Sequence, residues 1–462
     1  MKNRARALGV ALVVCLGAGM LGLSASASAA STVKKPSPSP SPSPAPSGTF
    51  VKAYAALVNG SQLNLSPLDV QSTSDGGYIA LSETQSSQGL GVNWLVKLSA
   101  TGAPQWQEQV GCASPQGAPG DYADGVSVQQ TSDGGYVVGG GTIDCGSGTS
   151  CPALSGQSCA LVEKLTPAGK LSWARAYKVG PDGSAITQIR QTADGGYVAV
   201  GSFQDASQNT GAVILKLDAA GTVQWQRDLG PAGATTQAYF NSVQQAADGG
   251  YAVAGNWDNA TFNSGNGADG ALLLKLDASG TLQWQKAYSG GVYCFFNGFS
   301  ETCTDIGAVA YTVHQTSDGG YALAGDSRLE LTDSAPIEPW QAKVDSGGGL
   351  MWQHLYYQTY QPTGRPLGEY FPAAAPAPGG GFLAVGPTLD YPTQKDLLFV
   401  VGTDSSGLAG TCGDVHPATP LQAIDPQLAA AAPSLPLQTA ATPAAASPIG
   451  TLATSISTQQ DC

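Results

Sequence analysis

Few residues of this chain could ligate a transition metal. The three histidines are His314, His354 and His416, and no Cys-x-x-Cys pair occurs. Zinc and copper centres are built mainly from imidazole and thiolate groups, so this set is small for such a site. His314 and His354 also fall at polar positions of a repeat, where other copies have Gln, Arg, Glu or Lys. We therefore interpret both as structural, and predict no catalytic residue and no metal ligand.

One stretch is rich in oxygen ligands. Asn256-Trp257-Asp258-Asn259 is followed by Asn263, Asn266 and Asp269. Carboxylate and amide oxygens at this density suit Ca²⁺. The spacing lacks the regular pattern of an EF-hand loop, so a polar surface loop is the preferred interpretation. No cofactor is predicted, and Ca²⁺ stays an open alternative.

A set of aromatic and acidic residues falls between repeated segments rather than within them. Aromatic and polar groups on stiff loops suit recognition of a glycan or a protein. The residues that we predict for binding are Tyr122, Tyr239, Phe240, Trp257, Asp258, Phe295, Phe296 and Trp340. The alternative is that these aromatic rings only cap the fold.

Six copies of a turn signature provide the framework for these residues. Asp-Gly-Gly-Tyr occurs five times, and Gly379–Phe382 is a decayed sixth copy. The full copies are Asp75–Tyr78, Asp133–Tyr136, Asp194–Tyr197, Asp248–Tyr251 and Asp318–Tyr321. Asp-Gly favours the positive φ angles of hairpin turns. A repeat of about sixty residues built from short strands is typical of a β-propeller.

The fourth copy gives the order of strands within one unit. Ser242–Gln245 is predicted as strand a, Tyr251–Gly255 as b, Ala271–Leu276 as c and Leu282–Lys286 as d. Tight turns join a to b and c to d, whereas the other connections are long and irregular. With strand a innermost, the long connections emerge together on one side of the disc, the loop-bearing face. Function in repeat proteins usually lies on such a face, and we expect the Gly-Gly turns of the opposite turn face to touch no ligand.

A tryptophan follows the second turn of the first five copies. A small polar residue is followed by Gly three residues later and by Trp seven residues later. The five tryptophans are Trp106, Trp173, Trp225, Trp284 and Trp352. Their constant spacing predicts packing of one blade on the next, because an indole offers a large apolar body and one N–H group.

The sixth copy lacks this tryptophan. Asp404 and Gly407 keep the turn, but Thr411 stands at the Trp position. At the start of the chain, Phe50–Tyr54 matches Trp284–Tyr288. An N-terminal strand is therefore predicted to complete the last blade and close the ring, which removes open sheet edges.

The predicted fold is all-β, a six-bladed propeller of four-stranded blades over residues 48–412. A seventh blade would need a hidden unit in 289–310 or 353–372, and neither segment shows a strand–turn–strand pattern.

The repeat resembles those of two propeller groups. Gly76-Gly77-Tyr78 followed by Trp106 resembles the kelch repeat, and Asp-x-x-Gly-x-x-x-Trp resembles the blade motif of quinoprotein-like propellers. The sequence also resembles exported bacterial proteins with Asp-Gly-Gly-Tyr repeats, which are mostly uncharacterised. The resemblance spans residues 50–412 and implies the fold. Propellers include both binding proteins and enzymes, so it does not fix an activity.

The first thirty residues predict export. Lys2, Arg4 and Arg6 precede the apolar stretch Ala7–Leu23, and Ala-Ser-Ala sites follow it. This order is typical of a cleaved secretory signal peptide. Residues 31–47 contain a Pro-Ser repeat and are predicted to form an extended linker. We expect a secreted protein, extracellular or associated with the cell wall, with no transmembrane segment after cleavage.

The chain is acidic, with 20 Lys and Arg against 33 Asp and Glu and a net charge of −13. Removal of the three basic residues of the signal peptide makes the net charge about −16. Nucleic-acid binding needs a basic surface, so this class of partner is excluded.

The cysteines predict a disulfide framework. Nine occur, of which Cys15 lies in the signal peptide, so eight remain in an oxidising compartment. We predict the pairs Cys294–Cys303 and Cys412–Cys462. Two more bridges join Cys112, Cys145, Cys151 and Cys159 in a pairing that stays open. The Ala- and Pro-rich tail, residues 413–462, is predicted to be disordered and pinned by its terminal bridge.

These observations predict an exported, non-enzymatic propeller that binds an extracellular glycan or protein through its loop-bearing face. Two alternatives stay open. One is a secreted propeller enzyme that acts on polysaccharide through loop carboxylates, and the other is a structural component of the cell envelope.

Overall fold

The computed structural model of the chain is built from strands and turns. It describes residues 53–58, 61–62, 65–85, 91–110, 123–142, 158–179, 183–229, 236–259, 270–288, 291–296, 301–328, 337–357, 359–360, 365–366, 371, 373–377, 381–390, 395–408, 414–417, 423–424 and 454–459. No helix occurs in these ranges, and hence none of a length and apolarity that would cross a membrane. The predicted signal peptide and linker lie outside them.

The strands form a six-bladed β-propeller, which confirms the predicted fold class. Two short strands come first: β1 (Ala53–Val58) and β2 (Ser61–Gln62). Blade 1 contains β3 (Leu65–Ser72), β4 (Tyr78–Gln85), β5 (Gly91–Leu98) and β6 (Pro104–Val110). Blade 2 contains β7 (Ala123–Gln130), β8 (Tyr136–Thr142), β9 (Cys159–Leu165) and β10 (Leu171–Tyr177). Blade 3 contains β11 (Gly183–Gln191), β12 (Tyr197–Gln204), β13 (Thr210–Leu217) and β14 (Val223–Leu229).

The second half of the ring follows the same order. Blade 4 contains β15 (Thr236–Gln245), β16 (Tyr251–Asn259), β17 (Gly270–Leu276) and β18 (Leu282–Tyr288). After β19 (Gly291–Phe296), blade 5 contains β20 (Glu301–Gln315), β21 (Tyr321–Arg328), β22 (Ile337–Val344) and β23 (Leu350–Tyr357). Next come the paired strands β24 (Thr359–Tyr360) and β25 (Arg365–Pro366). In blade 6 the described residues form three strands, β26 (Ala373–Pro376), β27 (Phe382–Asp390) and β28 (Lys395–Gly402). The tail adds β29 (Asp414–Pro417), β30 (Ala423–Ile424) and β31 (Thr454–Gln459).

Burial along the strands reflects this stacking of blades. Every residue of β13 and β17 is buried, because blades 3 and 4 each have a neighbouring blade packed on both faces. The outer strand β14 is mostly half-buried. The third strands are therefore nearly continuous apolar runs, whereas the fourth strands alternate with polar residues.

Each described interface between successive blades has its own apolar core. Between blades 3 and 4, Ile214 and Leu229 pack with Phe240, Tyr251 and Trp257. Comparable cores join blades 1 and 2, 2 and 3, 4 and 5, and 5 and 6. The scaffold is thus a series of pairwise contacts between neighbours, as expected for a repeat protein.

The repeated tryptophans lie in these interfaces, which confirms their structural interpretation. Trp225 of blade 3 meets Tyr251 of blade 4 edge to face, with ring centroids 5.6 Å apart. Gly280 of blade 4 has φ +77°, and a Cβ there would lie 2.9 Å from the Trp225 ring. The fixed spacing between turn glycine and indole therefore reflects two needs, a left-handed turn and a close approach. The same contacts recur for Trp106, Trp173 and Trp284.

The N-terminal strand pairs differently from the prediction. β1 pairs with β2 and, from Ala53–Gln459 to Val58–Thr454, with β31 of the tail. Among the described residues, β28 pairs only with β27, so no pairing of β1 with the last blade occurs there. Phe50, which matches the repeated Trp, lies outside the described residues. The unpaired backbone groups of an edge strand can be satisfied by any neighbouring strand, and here the tail provides it.

Three segments of the tail form strands rather than disordered chain. β29 pairs with the outer strand of blade 5, and β30 pairs with the outer strand of blade 4. Sheet edges offer unpaired N–H and C=O groups to any segment, including one without apolar periodicity. The sequence shows no strand–turn–strand pattern in 289–310, but β19 and the first part of β20 pair there. This pair extends the first strand of blade 5 and adds no blade.

Candidate functional site: the loop-bearing face and the propeller axis

The turn face has polar groups that are already partnered. Asp75 Oδ1 accepts from Gly77 N at 3.0 Å, and Lys97 Nζ lies 2.8 Å from Asp75 Oδ2. The Lys97 ammonium also donates to Leu98 O at 2.9 Å. These bonds, chiefly that from Lys97, lower the pKa of Asp75 to about 2. The same ion pair recurs as Asp133–Lys164, Asp194–Lys216, Asp248–Lys275 and Asp318–Lys343. Saturated groups of this kind fit the structural interpretation of the turns.

The loop-bearing face has longer strand extensions. β20 is 15 residues long, and its first part pairs with β19 rather than with its own blade. Because first strands begin at the loop-bearing face, this hairpin projects from that face. Blade 3 differs, since a tight turn from Asp205 to Asn209 joins its second and third strands. The height of this face therefore varies around the ring.

Three of the predicted binding residues lie in the core rather than on this face. Phe240, Trp257 and Trp340 expose 1%, 6% and 0% of their surface. Their burial follows from strands that are longer than the sequence predicts. β15 begins at Thr236 rather than at 242, and β22 begins at Ile337. The longer sheets carry these rings inside interfaces between blades.

The other predicted binding residues fall into two hairpins. Tyr239 is partly exposed, and its hydroxyl donates to Gln237 Oε1 at 2.9 Å. Asp258 pairs with Gln237 on the same hairpin of blade 4. Phe295 and Phe296 lie at the end of β19. Tyr122 lies outside the described residues.

The expected calcium ligands are only partly described. Asn256 to Asn259 form the end of β16, and Asn263, Asn266 and Asp269 lie outside the described residues. In the described ranges, no three His, Cys, Asp or Glu side chains gather as they would around a metal ion. His354 stacks on Trp352 and its Nε2 lies 3.0 Å from Ser406 O, in keeping with a structural role.

The register supports one predicted disulfide. Cys294 and Cys303 are directly opposed on β19 and β20. Cα atoms of opposed antiparallel residues lie about 4.5–5.5 Å apart, within the span that a disulfide bridges. Cys159 is disulfide-bonded. The remaining predicted bridge residues, Cys112, Cys145, Cys151, Cys412 and Cys462, lie outside the described residues, so the pairing scheme stays a prediction.

The first strands lie against one another and so surround the propeller axis. We call their second-last residues the axial ring. Its members are Gln71, Gln129, Arg190, Gln244, His314 and Ala375. The sequence shows this column as polar positions of the repeat, and the structure places it at the turn-face end of the axis.

Three of the six residues of the axial ring join their blade to the next. Gln129 Oε1 accepts from Gln191 N at 2.6 Å, and Gln244 Oε1 accepts from Gln315 N at 2.7 Å. His314 Nε2 lies 2.8 Å from Ala374 O of blade 6. Burial lowers the pKa of His314, so the neutral ring is favoured. The structural interpretation of this histidine is consistent with these contacts.

A second belt lies two residues deeper in the same strands. Each acceptor side chain binds a backbone N–H of the following blade: Asp69 with Val128, Ser127 with Ile189, Gln188 with Val243 and Ser242 with Val313. The belt ends at blade 5. Thr312 Oγ1 is buried there and has no hydrogen-bond partner among the described residues.

Arg190 does not follow the pattern of the axial ring. A guanidinium cannot accept a hydrogen bond, so it cannot hold a backbone N–H of blade 4 as a glutamine would. Its Nη1 instead donates to Ile189 O at 3.1 Å and lies 3.5 Å from Ser127 Oγ. Sequence reasoning missed this residue because Gln and Arg are both ordinary surface residues. Arg190 stands out only when this position of the axial ring is known to bind a backbone N–H through a hydrogen-bond acceptor.

The charged groups at the axis come from alternate blades. Burial lowers the pKa of Arg190, and the negative charge of Asp69 partly opposes this. Arg190 in turn disfavours the charged form of His314. These residues belong to the first strands of blades 1, 3 and 5, which lie around the axis.

A separate buried carboxyl lies between blades 1 and 2. Glu163 is fully buried, and neither of its oxygens has a hydrogen-bond partner among the described residues. It pairs with Val138, which belongs to the core between these blades. Burial raises the pKa of Glu163 to about 7. The residues at this register in other blades are Val96, Leu215, Leu274 and Ala342.

Comparison with known proteins gives similarity of fold only. No family model and no curated protein matches the chain. A protein of unknown function from Dyadobacter fermentans is similar in structure at 10% identity, with a TM-score of 0.45 over 76% of this chain and 97% of that one. An endo-arabinase from Bacteroides thetaiotaomicron has 10% identity and a TM-score of 0.32 over 63% and 96%. A thermostable family-43 glycoside hydrolase has 10% identity and a TM-score of 0.32 over 67% and 96%. Similarity at this level carries no conclusion about activity.

Proposed function

We propose that this protein is an exported, non-enzymatic β-propeller that binds an extracellular glycan or protein through its loop-bearing face. The observation that supports this most is the contrast between the two faces. On the turn face, Asp75 and its four counterparts already bind a lysine and a backbone N–H. The other face holds the projecting hairpin β19–β20 and the partly exposed Tyr239.

The charge of the chain supports the class of partner. A net charge of −13 disfavours nucleic acid and anionic membrane surfaces. Export is inferred from the basic and apolar residues at the start of the chain. A ligand outside the cell that offers hydroxyl, amide or apolar groups fits both features.

Two alanines of blade 3 allow a matched test of the binding face. Ala206 is exposed in the turn at the loop-bearing face, and Ala219 is exposed in a turn at the other face. Both follow an aspartate, Asp205 or Asp218, whose carboxylate accepts backbone N–H groups of its own turn. An arginine at either position adds the same bulk and charge to an equivalent local structure.

Binding is measured on a glycan array and with a biotinylated extracellular protein fraction. We expect Ala206→Arg to weaken the strongest signal at least fivefold and Ala219→Arg to leave it unchanged. Equal loss in both variants, or loss in Ala219→Arg alone, would contradict the assignment of the face. Hydrolysis of a polysaccharide panel by the unmodified protein would contradict the non-enzymatic part.

A further inference from the structure

We propose that the propeller axis holds an oxyanion site, in which Arg190 donates hydrogen bonds to a carboxylate or phosphate group of a small ligand. This site lies at the turn-face end of the axis and is separate from the loop-bearing face. A test that refutes this site therefore leaves the function proposed above unaffected, and the reverse also holds.

Among the described residues, Arg190 makes no hydrogen bond to the following blade, and its contacts are with Ile189 O and Ser127 Oγ. Gln129, Gln244 and His314 each bond to the next blade, and Arg190 does not. A glutamine at 190 would reproduce the bond that Gln129 and Gln244 make, with the N–H of Gln245 as donor. The chain instead places a cation where an acceptor would join two blades.

The Arg190 guanidinium has unused donors. Only Nη1 of Arg190 donates a hydrogen bond among the described residues, so Nε and Nη2 remain open. Arg190 forms no ion pair there either. Asp69 is not within ion-pair distance of Arg190, and its oxygens accept from Gln71 Nε2 and Val128 N. A desolvated cation without a counterion is costly, and a bound oxyanion removes this cost.

The residues around the axis also include a small side chain opposite Arg190 and a second polar group. In a six-bladed ring, blade 6 stands opposite blade 3, and its axial ring residue is the exposed Ala375. Thr312 Oγ1 adds a buried hydroxyl without a partner on blade 5. A planar guanidinium with two open N–H directions, facing a small residue, suits bidentate binding of a carboxylate or phosphate.

The test uses calorimetric titration with sodium acetate, D-glucuronate, inorganic phosphate and neutral D-glucose. The full chain is expected to bind at least one oxyanion and to show no heat with glucose. Comparison of glucuronate with phosphate identifies which kind of oxyanion is preferred. No heat with all three oxyanions, or equal affinity for glucose and glucuronate, would overturn the proposal.

The matched variants are Arg190→Gln and Arg227→Gln. Both remove one guanidinium from blade 3, but Arg227 lies on the outer strand and binds Gly280 O and Ser279 O. We expect Arg190→Gln to lose at least tenfold in oxyanion affinity and Arg227→Gln to stay within twofold of the unmodified protein. Arg190→Gln is also expected to unfold at the same or a higher denaturant concentration, because Gln restores the bond between blades. Unchanged oxyanion binding in Arg190→Gln would refute the site.

Discussion

Residues at equivalent strand positions are buried at the interface between blades 3 and 4 and exposed at the seam between blades 6 and 1. Val243 exposes 2% of its surface in the first, whereas Val70 exposes 61% at the second. Leu383, on the side of blade 6 that faces blade 1, exposes 46%, and Val198 at the same register of blade 3 is fully buried. Identical or similar side chains are therefore buried or exposed according to their neighbour.

Several features of the repeat are lost together at blade 6. Gly379 and Gly402 stand where other blades have the Asp–Lys ion pair, and Pro376 and Ala375 replace the polar ends of the first strand. The comparison indicates that an interface depends on a set of residues acting together. Among the described residues, five interfaces have most of this set, and the seam between blades 6 and 1 is the least tightly packed contact between blades.

The largest expected effect comes from removal of a repeated indole. Trp225→Ala deletes the ring that packs on Tyr251 and Gly280. We expect a loss of about 3–5 kcal/mol in the free energy of unfolding, from lost burial and the cavity left behind. Urea unfolding followed by far-UV circular dichroism measures it. A loss below about 1 kcal/mol would show that this interface is no stronger than the seam.

The next effect is a gain of stability at the interface of blades 1 and 2. A carboxyl whose folded pKa is about 7, against the ordinary 4.5, binds more protons in the native state. Stability should therefore fall as pH rises from about 4.5 to about 7, by about 3 kcal/mol for a shift of this size. Glu163→Leu, which introduces the residue of blade 3, should remove this slope and stabilise the protein most at pH 8.

Unfolding midpoints at pH 5 and pH 8 test this prediction. Glu163→Gln serves as the control, because it removes the titration but leaves a buried polar group. An unchanged pH dependence in both variants would mean that Glu163 does not titrate as its burial implies.

The third prediction compares two valines at one register. Val243→Ala should cost about 2 kcal/mol, because two buried methyl groups are lost and a cavity remains. Val70→Ala at the seam should cost less than about 0.5 kcal/mol, since the side chain is mostly in water. Equal costs in urea unfolding would remove the distinction between the two interfaces.

The last prediction concerns the ion pair that blade 6 lacks. Lys97 is buried and Asp75 is half-exposed. Lys97→Met leaves a carboxylate in water and should cost under about 1 kcal/mol. Asp75→Asn leaves a buried ammonium with Leu98 O and without its counterion, and should cost about 2 kcal/mol. The reverse order of costs would contradict this interpretation of the turn.

The sequence predicts the repeated parts better than the parts that differ. The spacing of Trp225 and Gly280 predicts an interface because both residues recur in register. The burial of Phe240 and Trp257 could not be predicted, because it depends on how far two strands continue beyond the repeat. Arg190 looks like an ordinary polar residue until the neighbouring glutamines are seen to bind backbone N–H groups. Val70 has the same residue type as Val128, so only the absence of a packed neighbour distinguishes them.

Native-state hydrogen exchange of the first strands tests most directly whether five packed interfaces and one weak seam hold the ring. If the account is correct, the amides of β3 and β26 exchange through a local opening at low denaturant, while those of β11 and β15 exchange only on global unfolding. Uniform protection of all six first strands, or earliest exchange in β11 and β15, would contradict it.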